Sequence, residues 1–451
     1  MSHHYLDTDT TIVAPATAIG GAVMVVRLSG ANAITIADKI FRGKTTLSAV
    51  EGYTLHYGHI VNGAEETIDD VVVALFRAPH SYTGDDTVEI TLHGSEYITS
   101  EVLRLAIENG AVMAMPGEFT RRAFLAGKMD LSRAEAVADI IASDSRWSHS
   151  IASTQMRGAY SSKLSGLRSE LLKLCSLLEL ELDFTEEDVE FADRTQLRDI
   201  LINVGKEIET LKSSFALGNT LKNGVNVAII GEPNVGKSTL LNALIGDDRA
   251  MVSDIAGTTR DTIEATTIIG GIKYRFVDTA GLRTTDDKLE QMGIERTHRA
   301  IEKAHIVLHI VSAENPIFED ITLRNDQHYI RIINKIDTIT SSDILSSNPA
   351  LLISAKQDIG IAELRDMLCK TTDTSQLGSG SVVVSNMRHY SALDKAYVAL
   401  STALSAMDGN TPIDLLSDDI RQILHHLGEI TGEITTTDIL QNIFSHFCIG
   451  K

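Results

Sequence analysis

The chain has 451 residues, carries 61 acidic against 40 basic side chains for a net charge of −21, and is 43% hydrophobic and 22% charged. That length suggests about three domains, and that composition supports packed cores and excludes a chain disordered throughout. No long segment is basic, so composition provides no electrostatic footprint for nucleic acid, and the apolar runs at Val225–Ile230 and 304–311 fall far short of the roughly 18 residues of a membrane span.

The opening Met1-Ser-His-His-Tyr-Leu-Asp has no basic region followed by an apolar stretch, so no secretory signal is expected. Cys175, Cys369 and Cys448 lie far apart and match no zinc spacing, which points to a reducing, cytoplasmic setting. Residues 1–122 read as an α+β domain, with strand-like runs at 22–28, 70–75 and 87–92 separated by glycine and proline. Residues 123–222 change character: Leu164, Leu167, Leu171, Leu174, Leu178 and Leu182 recur at helical spacing and predict a long amphipathic helix. Residues 223–376 alternate short apolar strands with helical stretches, the pattern of a doubly wound α/β domain. A Ser- and Gly-rich stretch at 374–381 reads as a linker, and helical periodicity returns from Ser391 to the end of the sequence, within a second helical segment, 377–451. The expected fold class is therefore an α/β phosphate-loop domain inserted in an all-α helical domain, preceded by an α+β N-terminal domain.

The strongest motif is Gly231-Glu-Pro-Asn234-Val235-Gly236-Lys237-Ser238-Thr239 after the apolar run 225–230 and before a helical stretch. It is a G-x-x-x-x-G-K-S phosphate loop in the strand–loop–helix setting that it needs. Its glycines let backbone N–H groups wrap phosphates, Lys237 would reach the β- and γ-phosphates, and the Ser238 hydroxyl would hold Mg2+. Three further motifs follow in order: Asp278-Thr279-Ala280-Gly281, Asn334-Lys335-Ile-Asp337, and Ser354-Ala355-Lys356. The Asp337 carboxylate suits the two N–H donors on the guanine edge, and adenine would leave it unpaired. Together the four define a site for GTP. Thr259, within Gly-Thr258-Thr259-Arg260-Asp, is expected to complete the Mg2+ shell.

Catalysis is less direct. The residue after Gly281 is Leu282, where many GTPases place a water-orienting glutamine. Asp286, Asp287, Glu290 and Glu295 lie downstream as alternatives. Arg260 and Arg283 are available as cations, though neither is identifiable as an arginine finger. A monovalent cation held in part by Asn234 would supply the same charge.

These motifs, with Asp9-Thr-Thr-Ile-Val-Ala, Val26-Arg27-Leu-Ser-Gly30, Pro116-Gly-Glu-Phe-Thr-Arg-Arg-Ala-Phe-Leu-Ala-Gly-Lys128, the acidic turn from Asp183 and the terminal Phe447-Cys448-Ile-Gly-Lys451, resemble the MnmE (TrmE) family of tRNA modification GTPases along the whole chain. The resemblance implies an N-terminal folate-binding and dimerising domain (1–122), a helical domain in two segments (123–222 and 377–451), and an inserted GTPase domain (223–376). It implies binding of 5-formyl-tetrahydrofolate or a related tetrahydrofolate through Arg27, Glu89, Lys128 and Lys451. It also implies activation by K+ held by Asn234, Ser253, Ile255 and Thr258, with Glu290 orienting the attacking water. The family further implies a homodimer, paired with an FAD-dependent MnmG-type partner, that places an aminomethyl-type group on carbon five of the tRNA wobble uridine. Cys448 reads either as a nucleophile or as a small buried hydrophobe. Two departures from the family pattern stand near the folate segment: His93-Gly94-Ser95 in place of His-Gly-Gly, and Ile19-Gly-Gly-Ala in place of a Pro- and Arg-containing turn.

The alternative is a ribosome-assembly GTPase acting as an RNA-binding switch. Such a protein should carry a basic appendage, whereas 377–451 holds four bases (Arg388, Lys395, Arg421 and Lys451) against eight acids.

Overall fold

A computed structural model of the chain describes residues 8–18, 20–183, 194–246, 264–278, 298–339, 349–372, 374, 380–409 and 413–451, with the backbone alone at 182–183, 264, 278 and 413–414. Two compact units are present.

The first unit comprises 1–141, 155–206 and 392–451. Its sheet has seven strands, β1 (Ile12–Pro15), β2 (Val23–Ser29), β3 (Phe41–Gly43), β4 (Thr54–Val61), β5 (Thr67–Phe76), β6 (Thr87–His93) and β7 (Val112–Met113). They are ordered β3-β4-β5-β6-β2-β1-β7. All neighbours are antiparallel except β1 and β7. Alternation along β2 and β5 turns Met24, Val26, Leu28, Val71, Val73 and Leu75 inward, where the helices Ala33–Ile40 and Glu96–Glu108 cover them. The outward side of β4 and β5 leaves Leu55, Tyr57 and Val72 exposed.

The predicted long helix is Ala159–Asp183, with Leu164, Leu167, Leu171, Leu174 and Leu178 buried along one stripe. The helix Ile413–Thr431 packs against it. A last helix, Thr437–Ser445, has Thr436 as its N-cap and buries Leu440 and Phe444 against Leu131 and Ala134.

The second unit comprises 142–154 and 207–391. Its strands are β8 (Val225–Ile230), β9 (Glu264–Ile269), β10 (Ile272–Asp278), β11 (Ile306–Ser312), β12 (His328–Asn334) and β13 (Leu351–Leu352), in the order β13-β12-β11-β8-β10-β9. β8 lies parallel to both β10 and β11. β9 closes the edge antiparallel to β10, across the tight Gly270–Gly271 turn. Ile and Val line the buried strands because both sheet faces are covered. Ile151 and Trp147 join this core from 142–154.

Candidate guanine-nucleotide site and a second polar centre

The order β11-β8-β10 places β8 where successive connections leave in opposite directions. The crevice beyond its carboxyl end is the usual ligand position of such a sheet. The phosphate loop occupies it. β8 ends at Ile230, and the helix Lys237–Ile245 begins two residues before the predicted Thr239, with Gly236 as its N-cap. Gly231 has φ +145°, and a Cβ there would sit 2.1 Å from the Ile310 carbonyl. Gly236 has φ +101°, and a Cβ there would meet the Asn334 amide at 2.3 Å. Asn234 also adopts positive φ, at 64°, which asparagine tolerates better than most residues.

Lys237 is buried, and its Nζ donates to the carbonyls of Gly231 and Glu232, both at 2.7 Å. The ammonium therefore lies across the inside of the loop, over the concavity that the two glycines keep open. Ser238 and Thr239 begin the helix on its exposed side.

Asn334 ends β12 and is almost fully buried. Its Nδ2 donates to the Val235 carbonyl at 2.9 Å, and its Oδ1 accepts from the Ala355 amide at 3.0 Å. One amide thus ties the phosphate loop to the Ser354-Ala355-Lys356 turn. Sequence reasoning placed Asn334 among the nucleotide contacts; these two bonds use one N–H and one lone pair of its amide, leaving a second N–H and a second lone pair. Lys335 takes positive φ, 64°, turning the chain so that Asp337 is exposed and accepts from the Ser354 hydroxyl at 2.5 Å. Lys356 is exposed on the same turn. The structure therefore brings together Asn234, Val235, Gly236, Lys237, Ser238, Thr239, Asn334, Lys335, Asp337, Ser354, Ala355 and Lys356. Asp278 ends β10, level with Ile229 on β8, and only its backbone is described. Ser253, Ile255, Thr258, Thr259, Arg260, Thr279, Ala280, Gly281, Leu282, Arg283, Asp286, Asp287, Glu290 and Glu295 lie outside the described residues.

A second polar centre forms in the first unit. Arg27 on β2 stands directly opposite Glu89 on β6, and its Nε donates to the carboxylate at 2.8 Å. Its Nη1 donates to the carbonyl of Gly450 at 3.3 Å, and the guanidinium lies 5.7 Å from the Tyr82 ring centre and 5.4 Å from that of Phe119. Gly450 approaches β1 so closely that a Cβ would fall 2.0 Å from the Pro15 carbonyl. Lys128 donates to the Pro79 carbonyl on the loop that carries Tyr82. Lys451 is half-buried and its amide donates to the Cys448 carbonyl at 3.4 Å, while Cys448 itself is exposed.

Sequence reasoning missed Tyr82 and Phe119, since isolated aromatics carry no spacing signal. It also missed the support beneath them. Glu118 is buried and its Oε1 accepts from Arg121 at 3.1 Å and Arg122 at 3.0 Å; Arg122 also donates to the Thr10 carbonyl at 2.7 Å. Burial raises the Tyr82 phenol above its ordinary pKa, while its bond to Thr120, 2.9 Å, acts in the other direction. The departure at His93-Gly94-Ser95 has a local use: Ser95 caps the following helix by accepting from the Ile98 amide. Of the other departure, Ile19-Gly-Gly-Ala, Ile19 lies outside the described residues, and Gly20, Gly21 and Ala22 are exposed.

A phosphate loop at the switch point of a parallel sheet, locked to an Asn-Lys-x-Asp strand end, defines a P-loop guanine-nucleotide-binding protein. Profiles of the TrmE N-terminus and the MnmE helical domain match residues 11–128 and 131–448. The tRNA modification GTPase MnmE of Bacteroides fragilis is 50% identical over 98% of this chain and 99% of its own length. That of Flavobacterium johnsoniae is 46% identical over 98% and 99%. A solved structure of Era in complex with MgGDPNP is 26% identical over 38% of this chain and 65% of its own, with a TM-score of 0.24, too low to define a fold. The chain belongs to the MnmE (TrmE) family of tRNA modification GTPases. No helix among the described residues is long and apolar enough to cross a membrane.

Proposed function

We propose that the chain is a K+-activated GTPase that works with an FAD-dependent MnmG-type partner on carbon five of the tRNA wobble uridine, using a tetrahydrofolate one-carbon unit. The observation that carries the GTPase part is the Asn334 bridge, which holds the phosphate loop and the base-side turn in one register. In this reading Lys237 leaves the Gly231 and Glu232 carbonyls for the β- and γ-phosphates, and the loop's N–H groups take the phosphate oxygens. Asp337 accepts from the guanine edge, with the Ser354 hydroxyl orienting it.

Ser238 at the helix start suits Mg2+, and Thr259 is its proposed second protein ligand. The side chain of Asn234, exposed on a positive-φ turn, suits K+, with Ser253, Ile255 and Thr258 as the proposed companions. Glu290 is the proposed water-orienting residue, and Arg283 keeps no assigned step. A Mg2+ ion neutralises charge on the phosphates and a K+ ion adds positive charge where an arginine finger otherwise acts.

The Arg27 centre suits a folate. A pterin edge resembles guanine in offering adjacent N–H donors to a carboxylate, which Glu89 supplies, while Tyr82 and Phe119 provide aromatic faces beside it. Lys128 and Lys451 offer cations for a glutamate tail. The bound folate supplies the one-carbon unit. The exposed Leu55, Tyr57 and Val72 on β4 and β5 are consistent with a homodimer through this sheet. An acidic chain is compatible with tRNA if the partner supplies much of the basic surface.

The deciding experiment is GTP hydrolysis by the purified protein in K+ and in Na+ at equal ionic strength. A large K+-specific stimulation that grows with protein concentration is expected. Equal rates in the two salts would remove the K+ assignment and leave Arg260 or Arg283 as the charge donor.

A further inference from the structure

His425, His426 and Glu429 lie on the helix Ile413–Thr431, far in sequence from every nucleotide motif described above. Positions i+3 and i+4 fall on the same helical face, so Glu429 lies against both imidazoles. His425 Nε2 is 3.4 Å from Glu429 Oε1, and His426 Nδ1 is 3.5 Å from Glu429 Oε2. The three ligand atoms all lie within 4.8 Å of one another.

Two contrasts argue against simple ion pairs. Charge-assisted N–H···O bonds close to about 2.7–2.9 Å, and these pairs stop well short of that. His426 Nδ1 is also buried with no hydrogen-bond partner among the described residues. By contrast, two ligands about 2.1 Å from a tetrahedral metal stand about 3.4 Å apart, close to each of the two imidazole–carboxylate separations, which run to the two different carboxylate oxygens. The side chain of His425 is 50% exposed, which leaves one side of the cluster open to a water ligand. Arg168, the guanidinium packed against the same turn, is occupied by the Leu424 carbonyl and the Glu433 carboxylate.

We propose that His425, His426 and Glu429 form a binding site for a divalent first-row transition metal, with two imidazoles and one carboxylate as protein ligands and water completing the shell. Imidazole with carboxylate suits Zn2+, Co2+ or Ni2+ rather than Mg2+. The ion would fasten one turn of a helix that packs against Ala159–Asp183.

The test is titration of nucleotide-free, full-length protein with Co2+, followed by its ligand-field absorption, and competition with Zn2+ by calorimetry. One equivalent per chain should bind, Zn2+ should displace Co2+, and Zn2+ should raise the thermal midpoint. His426→Ala and Glu429→Gln should each weaken binding at least tenfold. His425→Ala, on the exposed side where packing changes least, should do the same with helix content and GTP hydrolysis unchanged. Absence of saturable binding, or equal affinity in the His425→Ala variant, overturns the proposal. So does metal binding that disappears only when His3 and His4 are replaced.

Discussion

Asn334 shows how much can rest on one side chain. One N–H and the carbonyl oxygen of its amide are each met by a backbone group of a different loop. Asn334→Ala leaves the Val235 carbonyl and the Ala355 amide without that partner at a buried position. The expected loss is about 2 kcal/mol of stability, read from denaturant unfolding, together with weaker GTP binding. His93 poses a different test. Its Nδ1 lies 2.7 Å from Asp69 Oδ1, and that hydrogen bond raises the imidazole pKa above its ordinary value. The folded state therefore favours the charged ring. The stabilisation is complete below the unfolded pKa and is lost as pH rises through the raised folded value. An NMR titration should show a raised His93 pKa in the native protein and a lower one in Asp69→Asn. Equal values in the two would rule out the pair as the cause.

Among the elements, the phosphate loop depends on its neighbouring strand as much as on its own composition. Gly231 passes so near β11 that a methyl group would overlap the Ile310 carbonyl at 2.1 Å, on a backbone with φ +145°. Gly231→Ala should abolish binding of a fluorescent guanine nucleotide while leaving the proposed folate binding in the first unit unchanged. Retention of normal nucleotide affinity would show that the loop moves aside more easily than the packing implies. Helix Ala159–Asp183 offers the opposite case. Its buried leucine stripe is legible because a helix repeats its period over many residues, so that the sum of weak signals is strong. The antiparallel pair β4 and β5 carries a shorter pattern that is only partly legible: the apolar run marks 70–75, whereas β5 runs Thr67–Phe76 and β4 runs Thr54–Val61.

Across the molecule, the chain brings its C-terminal segment back to its N-terminal sheet. The Arg27–Gly450 bond joins positions 423 residues apart. Phe447 packs with Phe444 and Leu131, which holds the terminal segment in place. If the proposed folate site is right, deletion of Cys448–Lys451 should lower the affinity for 5-formyl-tetrahydrofolate at least tenfold, measured by calorimetry, and leave GTP affinity unchanged because the phosphate loop lies in the other unit. Equal folate affinity in the truncated chain would dissociate the terminus from that pocket.

The nucleotide chemistry is written in the order of residues along the chain. Phosphate-loop and guanine motifs are contiguous, and their spacing is dictated by a ligand of fixed size meeting backbone groups of successive residues. Arg27, Glu89, Lys128 and Lys451 are also marked there, though only through family resemblance. Folding alone established that Arg27 and Glu89 face one another across two strands, that Tyr82 and Phe119 flank them, and that Gly450 closes against them. It likewise set the Asn334 amide to serve the protein's own loops. The physical reason is range: local spacing reports what neighbouring residues can do together, whereas a pocket assembled from distant segments exists only once hydrophobic burial has set strand register and brought the chain's ends together.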